Sequence, residues 1–241
     1  RAAPRALNAQ KAAPLTRHRA APHATMAEQI VMQRKVEGGP PAPANPLMPV
    51  AAGRITVGNL ELSTIAGAAP PPERDGVDTS GSAAWNGGCK FAAALLEHLV
   101  FLPPDCRVLE VGCGCGVAGI AVAERYGAAT VLLTDGQPRC LDAAAANFGD
   151  AHRPRCSTAL LEWGDEAAAT AVATAFNPTI VLGADVGYDP GSHAKLIATL
   201  KTCVSAGKVA GELADLVLIE EARFRDVSSW LWDSIKQAGF M

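Results

Sequence analysis

The 241-residue chain is long enough to bury one sizeable hydrophobic core, which favours a single domain with tails. A formal net charge of −3 gives no overall attraction to nucleic acid, and no apolar window reaches the length of a membrane-spanning helix, so we expect neither as a partner. Charge is uneven, because residues 1–50 carry seven Lys or Arg against two acids and the remainder carries 14 against 22. The acidic remainder favours a basic partner segment.

Residues 1–50 differ from the rest of the chain in composition. They contain twelve alanines and eight prolines, so they cannot bury enough apolar surface to offset the entropy of ordering. We predict a disordered basic tail here. An Arg-rich, Ala-rich and acid-poor segment is also typical of an organellar transit peptide, and both interpretations stay open. Because residue 1 is Arg rather than Met, we expect a fragment or a processed product.

The seven cysteines are an odd number without a C-x-x-C pair. This pattern favours a reducing intracellular compartment, most simply the cytoplasm, over a disulfide framework. Cys113 and Cys115 alternate with glycines in one turn, where small side chains are needed, so we predict that they bind no metal.

The folded part, residues 51–241, is predicted to begin with a hairpin and a helix. Residues 54–64 carry two short strand patterns around Gly58-Asn59, a pair typical of a tight turn. Trp85 then leads into an amphipathic helix predicted over residues 91–99. His98 is predicted to be a partly exposed helical residue and not a metal ligand.

Residues 107–135 hold the pattern around which the chain is organised. An apolar run over 108–111 predicts a buried parallel strand, and glycines at every second position follow it. A helical pattern over 117–126 and a strand over 130–134 come next, and this strand ends in Asp135. Strand, glycine turn, helix, strand and terminal acid make up half of a doubly wound nucleotide-binding fold.

The glycine turn fits two cofactors. Residues 114–119 spell the G-x-G-x-x-G fingerprint of dinucleotide-binding proteins, and Asp135 lies near the distance expected of an acid that binds a ribose. Residues 110–116 also read E-x-G-x-G-x-G, which resembles motif I of S-adenosylmethionine-dependent methyltransferases. The glycines alone do not decide between the two, since a tight packing turn needs them as well.

Helix and strand patterns alternate along the rest of the chain. The predicted elements are helices over 138–148, 167–176, 194–203 and about 227–237, and strands over 156–161, 178–183 and 216–220. Five strands alternating with helices predict a mainly parallel, doubly wound α/β sheet with right-handed crossovers.

Four separated segments together resemble the seven-β-strand protein lysine methyltransferases, methyltransferase family 16, of the methyltransferase-like 21 type. They are Trp85 before a helix, the glycine turn, the pair Trp163-Gly164 after the strand at 156–161, and the D-x-x-Y sequence from Asp185 to Tyr188. The resemblance covers the chain from about residue 54 to its end. The glycine motif is shared by nearly all class I methyltransferases, whereas the other three segments are far more selective.

The resemblance implies a class I methyltransferase (Rossmann-like) fold that binds S-adenosylmethionine. Residues 112–114 would line the methionine part through their backbone, and Asp135 would bind the ribose. Trp163 would cover the adenine, whose flat face an indole can bury with favourable stacking. The implied cofactor-binding set is Trp85, Glu110, Gly112, Cys113, Gly114, Gly116, Asp135, Trp163 and Ala184.

The resemblance also implies a lysine-bearing protein substrate, with Asp185 and Tyr188 as catalytic residues. A lysine amine must be neutral to attack, although its reference pKa is about 10.4; burial and a nearby cation lower that pKa. Asp185, expected to have its side chain free to face the methyl acceptor, would orient the amine or guide its proton. Tyr188 would form an aromatic wall. The ordinary alternatives are an Asp that caps a turn and a packed Tyr.

The sequence departs from the family pattern in three places. It ends at Met241, where the family has two further antiparallel strands, so we expect either a C-terminally truncated sequence or a sheet that ends with an exposed fifth strand. Gly187 and Asn86 replace bulkier or acidic residues. Glu220-Glu221 either lies beside the substrate or forms a solvated acidic end.

The leading hypothesis is therefore a protein-lysine N-methyltransferase that uses S-adenosylmethionine. A histidine or small-molecule acceptor, a nicotinamide dinucleotide oxidoreductase and a catalytically silent cofactor-binding domain stay open as alternatives. The sequence predicts neither the substrate protein nor the oligomeric state.

Overall fold

A computed structural model describes residues 54–58, 60–63, 84–207, 213–220 and 225–240, with the backbone alone for 54–55 and 225–230. The predicted tail at residues 1–50 lies outside the described residues. So do Asn59 of the hairpin turn, Glu221 and Met241.

The described elements alternate as the sequence predicts. In chain order they are β1 (Arg54–Val57), β2 (Leu60–Ser63), α1 (Asn86–Leu96), β3 (Arg107–Val111), α2 (Val117–Arg125), β4 (Thr130–Asp135), α3 (Pro138–Ala146), β5 (Cys156–Leu160), α4 (Glu166–Phe176), β6 (Ile180–Ala184), α5 (His193–Ala206), β7 (Asp215–Ile219) and α6 (Arg225–Gln237).

Five of these strands form one parallel sheet in the order β5-β4-β3-β6-β7. Val108 of β3 pairs with Val131 of β4 on one side and with Ile180 of β6 on the other. Strand order therefore reverses at β3, and the carboxyl end of such a switch point is where doubly wound proteins bind their ligands. The predicted doubly wound α/β fold is confirmed.

Both faces of this sheet are covered, which explains why β3 is apolar along its length. Side chains alternate between faces along a strand, so Val108 packs into a core with α1 and α2, and Leu109 packs into a second core with α4 and α5. Both side chains are fully buried. Burying a Val or Leu side chain contributes about 1.5–3 kcal/mol, so the two cores hold the site's scaffold rigid.

The predicted hairpin is confirmed as an antiparallel pair, β1 with β2, separate from the main sheet. Leu60 and Leu62 are buried against the α1 and α2 side of the core. Asn147, just after α3, fastens the hairpin's end: its Oδ1 accepts from Ser63 N (2.7 Å), and its Nδ2 donates to Ser63 O and to Cys115 O (2.9 Å each). The hairpin is thus joined directly to the glycine turn.

The largest error in element bounds concerns α1, which begins at Asn86, not at residue 91, and ends at Leu96. His98 lies beyond the helix, exposed, with φ 64°, and its Nδ1 is 2.9 Å from Arg125 Nη2. The prediction that His98 is helical is wrong, because Leu99 N and Val100 N both turn back to the same carbonyl and end the helix.

Within the described residues no strand follows α6, and β7 pairs with β6 alone. No described helix combines the length and the apolar character that crossing a bilayer requires.

Candidate functional site

The carboxyl edge of the sheet gathers segments that follow β3, β4, β5 and β6. A Cβ built on Gly112, after β3, would lie 2.9 Å from both Trp163 Cζ2 and Val186 Cγ1, which follow β5 and β6. Asp135, the last residue of β4, binds the same turn through Gly114. The fold therefore brings together segments that the sequence predicted as one site.

Residues 112–116, here called the cofactor turn, need glycine at three positions. Gly112, Gly114 and Gly116 have φ values of 70°, 53° and 84°, a left-handed backbone that other residues adopt at a cost. A Cβ on Gly116 would also lie 2.8 Å from Leu133 Cδ1, because this glycine is the N-cap of α2 and faces the core. Gly112 faces the site and Gly116 supports it from behind.

Asp135 holds the cofactor turn in place. The side chain is 8% exposed, with Oδ2 accepting from Gly114 N at 3.0 Å and Oδ1 accepting from Gln137 N at 2.9 Å. A carboxylate has about four acceptor positions, so it can hold two backbone amides and still accept from a ligand hydroxyl. Its place at the tip of β4 is the one the sequence predicted.

Glu110 lies behind the turn rather than at its surface. It is 2% exposed, and its Oε2 accepts from Gly119 N in the first turns of α2 at 2.8 Å. Burial raises the pKa of Glu110 to about 8, and the nearby Asp135 adds to this, while the Gly119 bond opposes it. The side chain therefore supports α2, and the place of Glu110 in the cofactor-binding set stays a prediction. Gly119 is needed for this, since a Cβ there would lie 2.5 Å from Glu110 Oε2.

Cysteine in the turn acts as a small buried residue. Cys113 is 7% exposed, its N–H donates to Thr134 O at 2.9 Å, and burial raises the pKa of its thiol well above the usual value. Cys115 is buried beside it, and all seven cysteines are free thiols. A neutral thiol is neither a nucleophile nor a good metal ligand.

Two tryptophans belong to the predicted site, one beside the turn and one at the start of α1. Trp163 is half-buried against Gly112, and its loop is fixed by the bond from Gly164 N to Thr199 Oγ1, 2.9 Å. Trp85 is half-buried at the N-cap position of α1. The resemblance to family 16 implied both tryptophans for the site, and the position of Trp163 after a strand supported its place there.

Residues 185–189, here called the acceptor loop, begin with a carboxylate that already accepts a hydrogen bond from another part of the chain. Asp185 follows the half-buried Ala184, has φ 55° and is 7% exposed. Its Oδ2 accepts from Gly87 N in α1 at 2.5 Å, 98 residues away. The expectation that this side chain is free to face a substrate is wrong, because a glycine lets α1 approach it. The ordinary alternative was a cap on the segment that follows, whereas this hydrogen bond comes from α1.

The middle of the acceptor loop is held from two sides. Glu220 Oε1 accepts from Val186 N and from Gly187 N, at 2.8 Å each, and buried His193 Nε2 lies 3.0 Å from Gly187 O. Glu220, which the sequence left open between two roles, therefore supports the loop. Gly187 fits here because a Cβ would contact Leu231. Tyr188 is 47% exposed and does not pack into the core.

The sequence did not predict three contacts of the acceptor loop: those of Gly87, Glu220 and His193. Only the Gly87-Gly88 pair carried a signal, because two glycines at the start of a helix are costly unless something approaches closely. The other two contacts join segments that no local pattern connects.

The chain is similar to known proteins over most of the described fold. A family model described as lysine methyltransferase, methyltransferase family 16, matches residues 73–234. Human protein-lysine N-methyltransferase EEF2KMT is 25% identical over 135 residues, and human FAM86B2, named as a candidate protein N-methyltransferase, is 26% identical over 136 residues. In both cases the match covers 51% of this chain and 40% of the relative.

Among solved structures, Aeropyrum pernix fibrillarin with bound S-adenosyl-L-methionine is 18% identical, with a TM-score of 0.46 over 62% of this chain and 64% of that one. This likeness is too weak to carry an argument. The finer methyltransferase-like 21 assignment stays a prediction. The family model spans well over half of the sequence, so the chain belongs to the lysine methyltransferases of family 16.

Proposed function

We propose that this chain binds S-adenosylmethionine at the carboxyl edge of its sheet and transfers the methyl group to a lysine side chain of a protein. The observation that supports it best is the cofactor turn itself: left-handed glycines tied to Asp135 and bordered by Trp163, in a chain of the lysine methyltransferase family. The two human relatives are named as protein N-methyltransferases, which favours a protein substrate over a small molecule.

The residues of the turn fit this cofactor. Gly112 and Gly114 have no side chain and Cys113 has a small one, so a ligand can approach their backbone. Asp135 can accept from ribose hydroxyls. Trp163 offers a half-buried indole for the adenine. In this proposal Ala184 contacts the cofactor at the end of β6, and Trp85 closes the pocket. Gly116 and Glu110 act from behind, as supports.

The acceptor loop fits the methyl acceptor. S-adenosylmethionine supplies a methyl group on a sulfonium, so the protein's task is to hold a neutral amine in line with it. A lysine pKa near 10.4 falls on burial beside a cation, which frees the amine's lone pair. Tyr188 provides an exposed aromatic wall. The Asp185 carboxylate holds Gly87 N with one oxygen, and its further acceptor positions can accept a hydrogen bond that orients the amine. The acidic charge of the chain beyond residue 50 favours a basic target segment.

Cofactor choice is the first test. We expect S-adenosylmethionine or S-adenosylhomocysteine to raise the midpoint of thermal unfolding, because a ligand that binds only the native state stabilises it. NAD and NADP should leave it unchanged. Differential scanning calorimetry decides between these outcomes. Stabilisation by NAD alone would contradict the methyltransferase proposal and favour an oxidoreductase.

The methyl acceptor is identified in a second step. A cell lysate is incubated with the protein and S-adenosylmethionine carrying a labelled methyl group, and labelled proteins are analysed by mass spectrometry. A label on lysine supports the proposal. A label on histidine only, or on small molecules only, contradicts the lysine assignment while leaving the cofactor assignment intact.

A further inference from the structure

Helix α1 begins without a cap of its own. Trp85 occupies its N-cap position, with extended backbone (φ −89°, ψ 153°), no side-chain cap hydrogen bond and no acidic residue in the first turn. The first N–H groups of a helix have no partner within it, and Ser, Thr, Asp or Asn at the N-cap normally accepts from one of them. An indole has no acceptor atom, so it cannot do this.

Asp185 supplies the missing cap from the far side of the site. Its Oδ2 accepts from Gly87 N, the second residue of α1, at 2.5 Å, and the carboxylate is buried. The backbone at Asp185 is left-handed, which costs energy for any residue other than glycine, and Asp185 N donates to Ile219 O at 2.7 Å. A negative charge at a helix N-terminus is favourable as well, through the helix dipole.

The contact is close because α1 starts with two glycines after Asn86. A Cβ on Gly87 would lie 2.6 Å from Asp185 Cγ, and a Cβ on Gly88 would lie 3.9 Å from Ala184 Cβ and 4.0 Å from Val117 Cβ. The start of α1 therefore lies on the end of β6 and on the first residue of α2, next to the cofactor turn. Trp85 is attached to this point by two peptide bonds.

We propose that Asp185 is a positioning residue for Trp85: it fixes the start of α1 and thereby sets Trp85 over the cofactor pocket. This inference rests on the proposed function, since it assumes that S-adenosylmethionine occupies the pocket. Its consequence is that the acceptor loop contributes to cofactor affinity. A residue that served only the methyl acceptor would have no effect on cofactor binding.

The test measures the affinity of the full chain for S-adenosylmethionine by titration calorimetry. Asp185→Ala removes the cap, and we expect affinity to fall on the order of tenfold, the effect of losing one hydrogen bond to a charged group. Asp185→Asn keeps an oxygen for Gly87 N and should stay within about threefold of the parent. Asp142→Ala, at an exposed position on α3 outside the acceptor loop, is the control and should bind like the parent.

A double-mutant cycle separates positioning from general stability. If Asp185 acts through Trp85, Asp185→Ala should cause little further loss of affinity in a Trp85→Ala background, because the group it positions is gone. Gly87→Ala disturbs the same contact from the helix side and should also weaken binding. It serves in place of Asp185→Ala if that variant does not fold.

Each outcome decides a separate claim. Parent-like affinity in both Asp185→Ala and Gly87→Ala would overturn the positioning role. Full additivity of Asp185→Ala and Trp85→Ala would overturn it too, since the two residues would then act independently. If the parent itself does not bind S-adenosylmethionine, the proposed function fails, and this is seen before any variant is made.

Discussion

The cofactor turn and the acceptor loop are both held by carboxyl groups that accept from backbone N–H groups. The two regions differ in how far along the sequence each carboxyl group lies from the amide that it binds. At the turn, Asp135 binds the amide of Gly114, 21 residues away, and behind the turn Glu110 binds the amide of Gly119 in α2, nine residues away. In the loop, Asp185 binds an amide 98 residues away, and Glu220 binds Val186 N from 34 residues away. The turn is a nearly self-contained unit, whereas the loop depends on α1 and on the end of β7.

The largest expected effect that tests this comparison is the pH dependence of the free energy of unfolding caused by Glu110, behind the turn. Because burial raises the pKa of Glu110 from 4.5 to about 8, the native state holds a proton there that the unfolded state has lost between those values. The contribution of Glu110 is thus fully present below pH 4.5 and is lost as pH rises through about 8. The slope reaches at most about 1.4 kcal/mol per pH unit.

Glu110→Gln should remove this slope, because an amide still accepts from Gly119 N but does not ionise. Chemical unfolding of the cofactor-free protein at a series of pH values from 5 to 9 measures the free energy of unfolding. Glu97→Gln, at an exposed position after α1, should keep the parent's slope. If Glu110→Gln keeps it too, another group causes the pH dependence and Glu110 does not hold a proton in the native state over this range.

The same difference in distance explains what the sequence could predict. The positions of the turn and of Asp135 at the end of β4 were predicted correctly. Gly112, Gly114, Gly116 and Asp135 lie in one strand-turn-helix-strand pattern, which the sequence shows directly. The bond from Gly119 N to Glu110 was not predicted, since periodicity places a residue in a strand but does not say on which side of a turn its carboxyl group lies.

The sequence predicted the position of the acceptor loop but not the contacts that hold it. The D-x-x-Y sequence placed Asp185 and Tyr188 at the end of β6, as the structure has them. The partner of Asp185 could not be predicted, because it is a backbone N–H of Gly87, and any non-proline residue carries that group. The start of α1 was missed by five residues for a related reason: Gly87 and Gly88 lower helix propensity, and tertiary contact overrides it.

A smaller effect is expected where the loop depends on β7. Glu220→Ala leaves Val186 N and Gly187 N without their acceptor, which costs about 1–3 kcal/mol for part-buried donors. We expect hydrogen exchange at these two amides to accelerate in proportion, measured by NMR. Glu220→Gln keeps an oxygen for both and should preserve most of their protection.

Because the bonds from Val186 N and Gly187 N to Glu220 hold the middle of the loop rather than the start of α1, loss of Glu220 should reduce S-adenosylmethionine affinity less than Asp185→Ala does. Unchanged exchange at both amides in Glu220→Ala would mean that the loop is self-supporting. The contrast between a local turn and a loop held from a distance would then rest on Asp185 alone.

The smallest expected effect concerns the contact between the turn and the hairpin. Asn147 joins Cys115 O to both backbone groups of Ser63, so Asn147→Ala loses three hydrogen bonds at an exposed or part-buried site. Each such bond contributes about 0.5–1.5 kcal/mol at most in the net balance with water, and the exposed ones contribute least. We expect a loss of about 1–2 kcal/mol in the free energy of unfolding, against no change for Asp142→Ala, an exposed residue on the neighbouring helix.

Cofactor affinity should stay near the parent value, because Glu110 and Asp135 still hold the turn without the hairpin. A tenfold loss of affinity in Asn147→Ala would contradict this, and the hairpin would then be part of the cofactor site rather than a support attached to it.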